Sequence, residues 1–112
     1  CALPICLGAT GNSSYGYFGG GAGSKSTVDR IDYSNDTATA SPKGPLSSAR
    51  YYLAATGNSS YGYFGGGAPG PLSTVDRIDY SNDTATASPK GPLSVGRSRL
   101  AASSAAANGL PQ

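Results

Sequence analysis

Histidine, glutamate, methionine and tryptophan are all absent from these 112 residues. Without imidazole or glutamate, acid–base chemistry loses its commonest carriers. The many serines have no adjacent base to make them nucleophiles. Two cysteines, Cys1 and Cys6, are too few to build a metal site unaided; the alternatives are a small terminal disulfide and incidental thiols, and with no wider cysteine framework incidental thiols are expected. Charge is scarce as well: eight Lys/Arg against six Asp give +2, with no block of one sign. Nucleic-acid binding needs a clustered basic footprint, which is missing. No apolar run approaches the roughly 20 residues of a spanning helix, and no charged segment leads into an apolar one as in a signal peptide. The expectations are no enzyme, no cofactor, no metal, no nucleic-acid partner and no membrane insertion. A chain that starts at Cys1 and lacks Met also reads as a fragment or a processed product.

Large apolar side chains are few. Val, Ile, Leu and Phe together number 16, whereas Gly and Pro number 25, a turn-rich balance. A domain of this length buries roughly 60–70% of its unfolded surface. With so few bulky groups to bury, a lone monomer is expected to be marginal.

What the chain does contain is a repeat. Residues 9–22 (ATGNSSYGYFGGGA) return unchanged at 55–68, and residues 26–47 (STVDRIDYSNDTATASPKGPLS) return at 73–94. Between those blocks Gly23-Ser24-Lys25 is replaced by Pro69-Gly70-Pro71-Leu72. Each unit divides into four extended segments, exemplified by RYYLAAT (50–56), YGYFG (61–65), STVDRIDY (73–80) and TATAS (84–88). They are separated by Gly57-Asn58, by the glycines Gly65-Gly66-Gly67 (Gly19-Gly20-Gly21 in the first copy) and by Ser81-Asn82-Asp83. STVDRIDY alternates, with Val75, Arg77 and Asp79 opposite Asp76, Ile78 and Tyr80. No helical periodicity competes. The glycines would serve a turn of positive φ or a close backbone approach. Four strands in about 47 residues is the dimension of a propeller blade.

These residues resemble a kelch repeat. Tyr17-Phe18-Gly19-Gly20 and Tyr63-Phe64-Gly65-Gly66 match that family's aromatic strand with its glycine doublet. Val28-Asp29-Arg30-Ile31-Asp32 and Val75-Asp76-Arg77-Ile78-Asp79 match the following strand. Pro45 with Arg50, and Pro92 with Arg97, match the link to the next unit. The family's third-strand Tyr is Ile31 or Ile78 here, and its outer-strand Trp has no counterpart. The phrasing is most similar to kelch-like arrays in phage structural and tail-fibre proteins. The resemblance implies an all-β fold of two four-stranded antiparallel blades of a β-propeller, an incomplete ring within this chain. The units would be a first strand region at 1–8, repeats at 9–54 and 55–101, and a tail at 102–112. It implies a non-catalytic binding or structural module of an extracellular or virion-associated fibre or adhesin, recognising a surface glycan or protein. The alternative is a self-assembling extracellular filament of stacked β repeats. Either way, self-association or further repeats of a longer chain are the expected partners.

Other motifs carry little. Gly19–Ser26 approaches a phosphate-binding loop but has Ser24 where glycine is needed, and no helix follows. Asp29, Asp32, Asn35 and Asp36, repeated as Asp76, Asp79, Asn82 and Asp83, lack Ca²⁺-loop spacing. An Arg30–Asp32 pair and an Asx turn at Asn35-Asp36 are expected instead. Asn12, Asn35, Asn58 and Asn82 are N-x-[ST] sequons, open to glycosylation in a eukaryotic secretory route and otherwise ordinary turn residues. In an up-and-down meander all four share one edge. The opposite edge then carries both stretches that differ between units: the loop after the glycines, and Ser48–Tyr52 against Val95–Arg99. Lys25, Tyr51, Tyr52, Leu72 and Arg99 are therefore the candidate ligand-binding residues, the tyrosines offering stacking surface.

Overall fold

The computed structural model describes residues 7–98, so Cys1, Cys6 and Arg99 lie outside the described residues. Two four-stranded antiparallel sheets are formed, each with its strands in sequence order. The first contains β1 (Leu7–Gly11), β2 (Tyr15–Gly20), β3 (Val28–Asp32) and β4 (Ser41–Pro42). The second contains β5 (Ala54–Gly57), β6 (Tyr61–Gly65), β7 (Val75–Asp79) and β8 (Ser88–Pro89). The expected all-β class and four-stranded meanders are present, and the two sheets do not close a ring.

Three strand limits differ from expectation. TATAS (84–88) is mostly irregular, and the fourth strand is Ser88–Pro89, paired with Arg77 and Asp76. Proline is admissible there because an edge strand needs no donor on its outer side. STVDRIDY is strand only from Val75 to Asp79, since Tyr80 begins a 3-10 turn, Tyr80–Asn82. RYYLAAT is regular only from Ala54, because Tyr52 takes a left-handed φ of 58° and turns the chain. The predicted β7 alternation is present, with Asp76, Ile78 and Tyr80 all buried.

The sheets stack face to face, and the core is the seam between them. Tyr17 and Val28 come from the back face of the first sheet, and Leu46 and Leu53 from the link. Phe64, Ile78, Tyr80 and Ala87 come from the front of the second unit. The Tyr17 and Tyr80 rings stack across the seam at 5.1 Å and 14°. Along the inner strands Thr10 donates to the Thr56 carbonyl at 3.1 Å. Main-chain bonds also cross, from Gly44 N to the Asp83 carbonyl and from Ala87 N to the Pro45 carbonyl, both 2.8 Å.

Identical residues therefore meet different surroundings. Phe64 is 0% exposed and its copy Phe18 41%; Tyr80 is 8% exposed and its copy Tyr33 49%. The difference comes from the neighbour: among the described residues, one copy has a sheet in front of it and the other does not.

The same contrast predicts two opposite outcomes for one substitution. A Cβ on Gly44 would run into the Ala85 carbonyl, while Gly91, the same position one unit later, has nothing within 4 Å. Gly44→Ala should destabilise the chain by about 1–3 kcal/mol, the usual cost of forced overpacking. Gly91→Ala should stay within roughly 0.5 kcal/mol of the parent. Thermal melts in dilute protein check both, and equal losses would rule out the seam geometry.

Candidate functional site

At the seam, one residue belongs to both sheets. The Arg50 main chain pairs with the first unit, donating to the Lys25 carbonyl and accepting from Gly21 N, each at 2.9 Å. Its side chain enters the second unit, where it is fully buried. Nη2 meets Asp76 Oδ2 at 2.6 Å, while Nη1 donates to the carbonyls of Gly66 (2.9 Å) and Thr74 (3.0 Å). Ser47, also from the link, donates to Asp76 through its N–H at 2.9 Å and its hydroxyl at 2.7 Å. Of the buried side-chain nitrogens and oxygens among the described residues, Arg50 Nε alone is left without a partner. Both charges are thus removed from water but paired and hydrogen-bonded, the condition that burial demands.

A second cluster closes the outer part of the seam. Asp83 Oδ2 accepts from the Tyr17 hydroxyl and from Arg30 Nη1, each at 2.8 Å. Lys43 stands 4.0 Å from the other carboxylate oxygen. Arg30 therefore pairs across the seam rather than with Asp32, correcting the expected in-strand pair. Asp32 instead caps the 3-10 turn Tyr33–Asn35, accepting from Ser34 N and Oγ. The same bonds hold Asp79 over Ser81. The Asx motif thus sits at the aspartate before the turn, not at Asn35-Asp36. Hydroxyl and backbone donation from Ser34 and Ser81 lower the carboxyl pKa of Asp32 and Asp79. Among the described residues no cluster of His, Cys, Asp or Glu converges that would hold a metal.

The two edges of the stack differ. Asn12 and Asn58 each accept from two backbone N–H groups of their own turn, Ser14 and Tyr15, and Ser60 and Tyr61. Tyr33 N and Tyr80 N then donate to the Ser14 and Ser60 carbonyls, joining the two turns of each sheet at that edge. Asn35 and Asn82 end the 3-10 turns there, so the sequon asparagines share the edge. A cleft of about 380 Å³ opens on it between Asn12, Ser60, Tyr61 and Tyr80.

The opposite edge gathers the variable stretches. Lys25 bridges Arg50, Tyr51 bridges Ala68, and Leu72 bridges Arg97. Lys25 is exposed, and Tyr51, Tyr52 and Leu72 are half-buried. The Tyr51 and Tyr52 rings lie 5.1 Å apart at 59°. Among the described residues the only non-glycine positions with positive φ are Ser24 (57°) and Tyr52 (58°), both on this edge. Of the glycines, Gly19, Gly20 and Gly65 lie in strands, Gly20 ending β2, and Gly20, Gly21, Gly66 and Gly67 take positive φ. Gly19 is needed for approach, because a Cβ there would lie 2.7 Å from the Phe64 ring.

Arg50, Asp76 and Asp83 escaped sequence reasoning as a site. A signal existed: Arg50 and Arg97 are the sole matched pair within the otherwise changed stretches 48–52 and 95–99. The chain matches no protein-family model and no curated protein sequence.

Two predictions follow from the seam chemistry. Asp76→Ala leaves the Arg50 guanidinium buried and unpaired, and should cost about 3–5 kcal/mol. Asp29→Ala, at the uncovered copy, should cost under about 1 kcal/mol; denaturant unfolding of both variants measures the difference. The second concerns alkali. Burial raises the Tyr17 pKa, helped by the hydrogen bond to Asp83 and its charge, and burial likewise raises that of Tyr80. The folded state holds these protons beyond the point where an unfolded tyrosine loses them. Stability is therefore complete below about pH 10 and falls as pH rises above it. Ultraviolet difference titration against Tyr17→Phe and Tyr80→Phe variants should show these two tyrosines ionising only as circular dichroism is lost. One transition with the dichroism intact would contradict this.

Proposed function

We propose that the chain is a non-catalytic binding module of the kelch-like propeller type, from a fibre or adhesin, presenting its variable loop edge to a surface glycan or protein. The observation that carries this reading is the coincidence of three properties on one edge. The sequence differences between units fall there, two tyrosines lie side by side there, and both left-handed non-glycine residues, Ser24 and Tyr52, occur there. Such backbone costs of order 1–3 kcal/mol per residue and tends to collect at binding sites. Tyrosine pairs suit sugars and peptides, giving rigid stacking area with a polar tip. The repeat motifs and the stacked meanders support the kelch-like part of the reading.

A second reading, the self-assembling filament, is favoured by the uncovered copies of the seam residues on the outer faces of both sheets.

The loop-edge reading is tested with immobilised surface glycans and peptides as probes. Replacing Tyr51, Tyr52 and Arg99 together by Ala should remove binding to whatever retains the parent chain, with circular dichroism unchanged. Undiminished retention would move the site off this edge.

A further inference from the structure

The seam uses a donor set on the back of the first unit and an acceptor set on the front of the second. Because the units are copies, each set occurs again on an outer face. The back of the second unit carries Tyr63, Arg77, Lys90, Ser94 and Arg97, copies of Tyr17, Arg30, Lys43, Ser47 and Arg50. The front of the first unit carries Asp29 and Asp36, copies of Asp76 and Asp83, together with the exposed Phe18 and Tyr33.

The back face is also prearranged. Arg97 N donates to the Leu72 carbonyl (2.9 Å) and Gly67 N to the Arg97 carbonyl (2.7 Å), reproducing the main-chain pairing that aims Arg50 across the seam. Leu93 N bonds Ser73 O at 2.7 Å, as Leu46 N bonds Ser26 O at 2.8 Å. Arg77 lies 4.2 Å over the Tyr61 ring, as Arg30 lies 4.1 Å over Tyr15. The loops holding the donors keep their seam conformation although, among the described residues, no sheet lies against them.

We infer that a second copy of this chain docks front to back on the first, Arg97 and Ser94 of one copy pairing with Asp29 of the next, and Tyr63 and Arg77 with Asp36. The faces are of opposite character, cationic at the back and anionic at the front, and their complementarity is the one already realised inside the chain. The contact is heterologous, so it propagates until a ring closes or a filament grows. It is separate from the loop edge, and ligand binding there neither supports nor weakens it.

The test uses blocked faces. In one variant, Gly91→Ala with Arg97→Ala spoils the back, since a Cβ at 91 would meet the Ala38 carbonyl of the next copy as one at 44 would meet that of Ala85. In the other, Asp29→Arg spoils the front, with Asp36→Lys as a substitute where the first change impairs folding. Circular dichroism and melting temperature establish that each variant folds. In analytical ultracentrifugation the parent chain should associate with rising concentration, and each blocked variant should associate at least about a hundredfold more weakly. Mixed, the two should form one-to-one pairs and nothing larger, because a single intact back then meets a single intact front. A parent that stays monomeric, as it would if its own terminal segments covered these faces, overturns the inference. So do variants that associate like the parent, and a mixture that forms no pair.

Discussion

The way the two sheets are joined depends on the Arg50–Asp76 pair. Either charge left alone in the seam would be prohibitively unfavourable, and the pair is tolerated only because carbonyls and Ser47 satisfy the remaining hydrogen-bonding capacity of guanidinium and carboxylate. A hydrophobic pair of similar volume would hold two sheets together, but it would accept many rotations between them. A guanidinium that must meet one carboxylate and three carbonyls, those of Phe64, Gly66 and Thr74, accepts few. The polar core thus supplies orientation, while Tyr17, Val28, Leu46, Phe64 and Ile78 around it supply most of the burial. With only 16 large aliphatic or Phe side chains in the chain, neither sheet has a core apart from the other.

This explains why burial here is not a property of local sequence. VDRID forms β3 and β7 in the same register against YGYFG, yet Asp76 and Ile78 are buried and their copies Asp29 and Ile31 only half-buried. In repeat architectures a unit's intrinsic stability and its neighbour interface are separate contributions. Here the two are visible within one chain, because among the described residues the first sheet has its back covered and its front open, and the second the reverse.

Much of this was legible beforehand. Exact recurrence and period-2 alternation marked the strands, and Asn-Ser and Gly-Asn marked the turns, since each depends on neighbours in sequence. The missed features depend on contacts between units. Arg30 carries Asp32 two residues away, yet the closer chemistry is Asp83, 53 residues on, because sheet stacking brings the next unit's turn over the strand. TATAS is the exception: it reads as a strand by composition, but in both copies a local turn holds it, Ala38 N bonding the Asn35 carbonyl and Ala85 N the Asn82 carbonyl, before Ser41 and Ser88 join the sheets. The loop edge follows from the number of meander crossings, a property of topology that does not depend on side-chain contacts.

The pattern of change between units fits the same division. Residues that differ, Ser48-Ala49 against Val95-Gly96 and Tyr51-Tyr52 against Ser98-Arg99, flank an arginine that does not. Ser48, Ala49 and Val95 are exposed, whereas the Arg50 side chain alone turns inward. Within five residues, then, freedom to vary tracks the direction each side chain takes. Any stretch that must aim one residue into a seam and leave its neighbours on an open edge will retain the one and release the others. An edge built this way can change what it presents without disturbing the stack beneath it, which is the physical basis for a repeat that keeps its scaffold while its loops diversify.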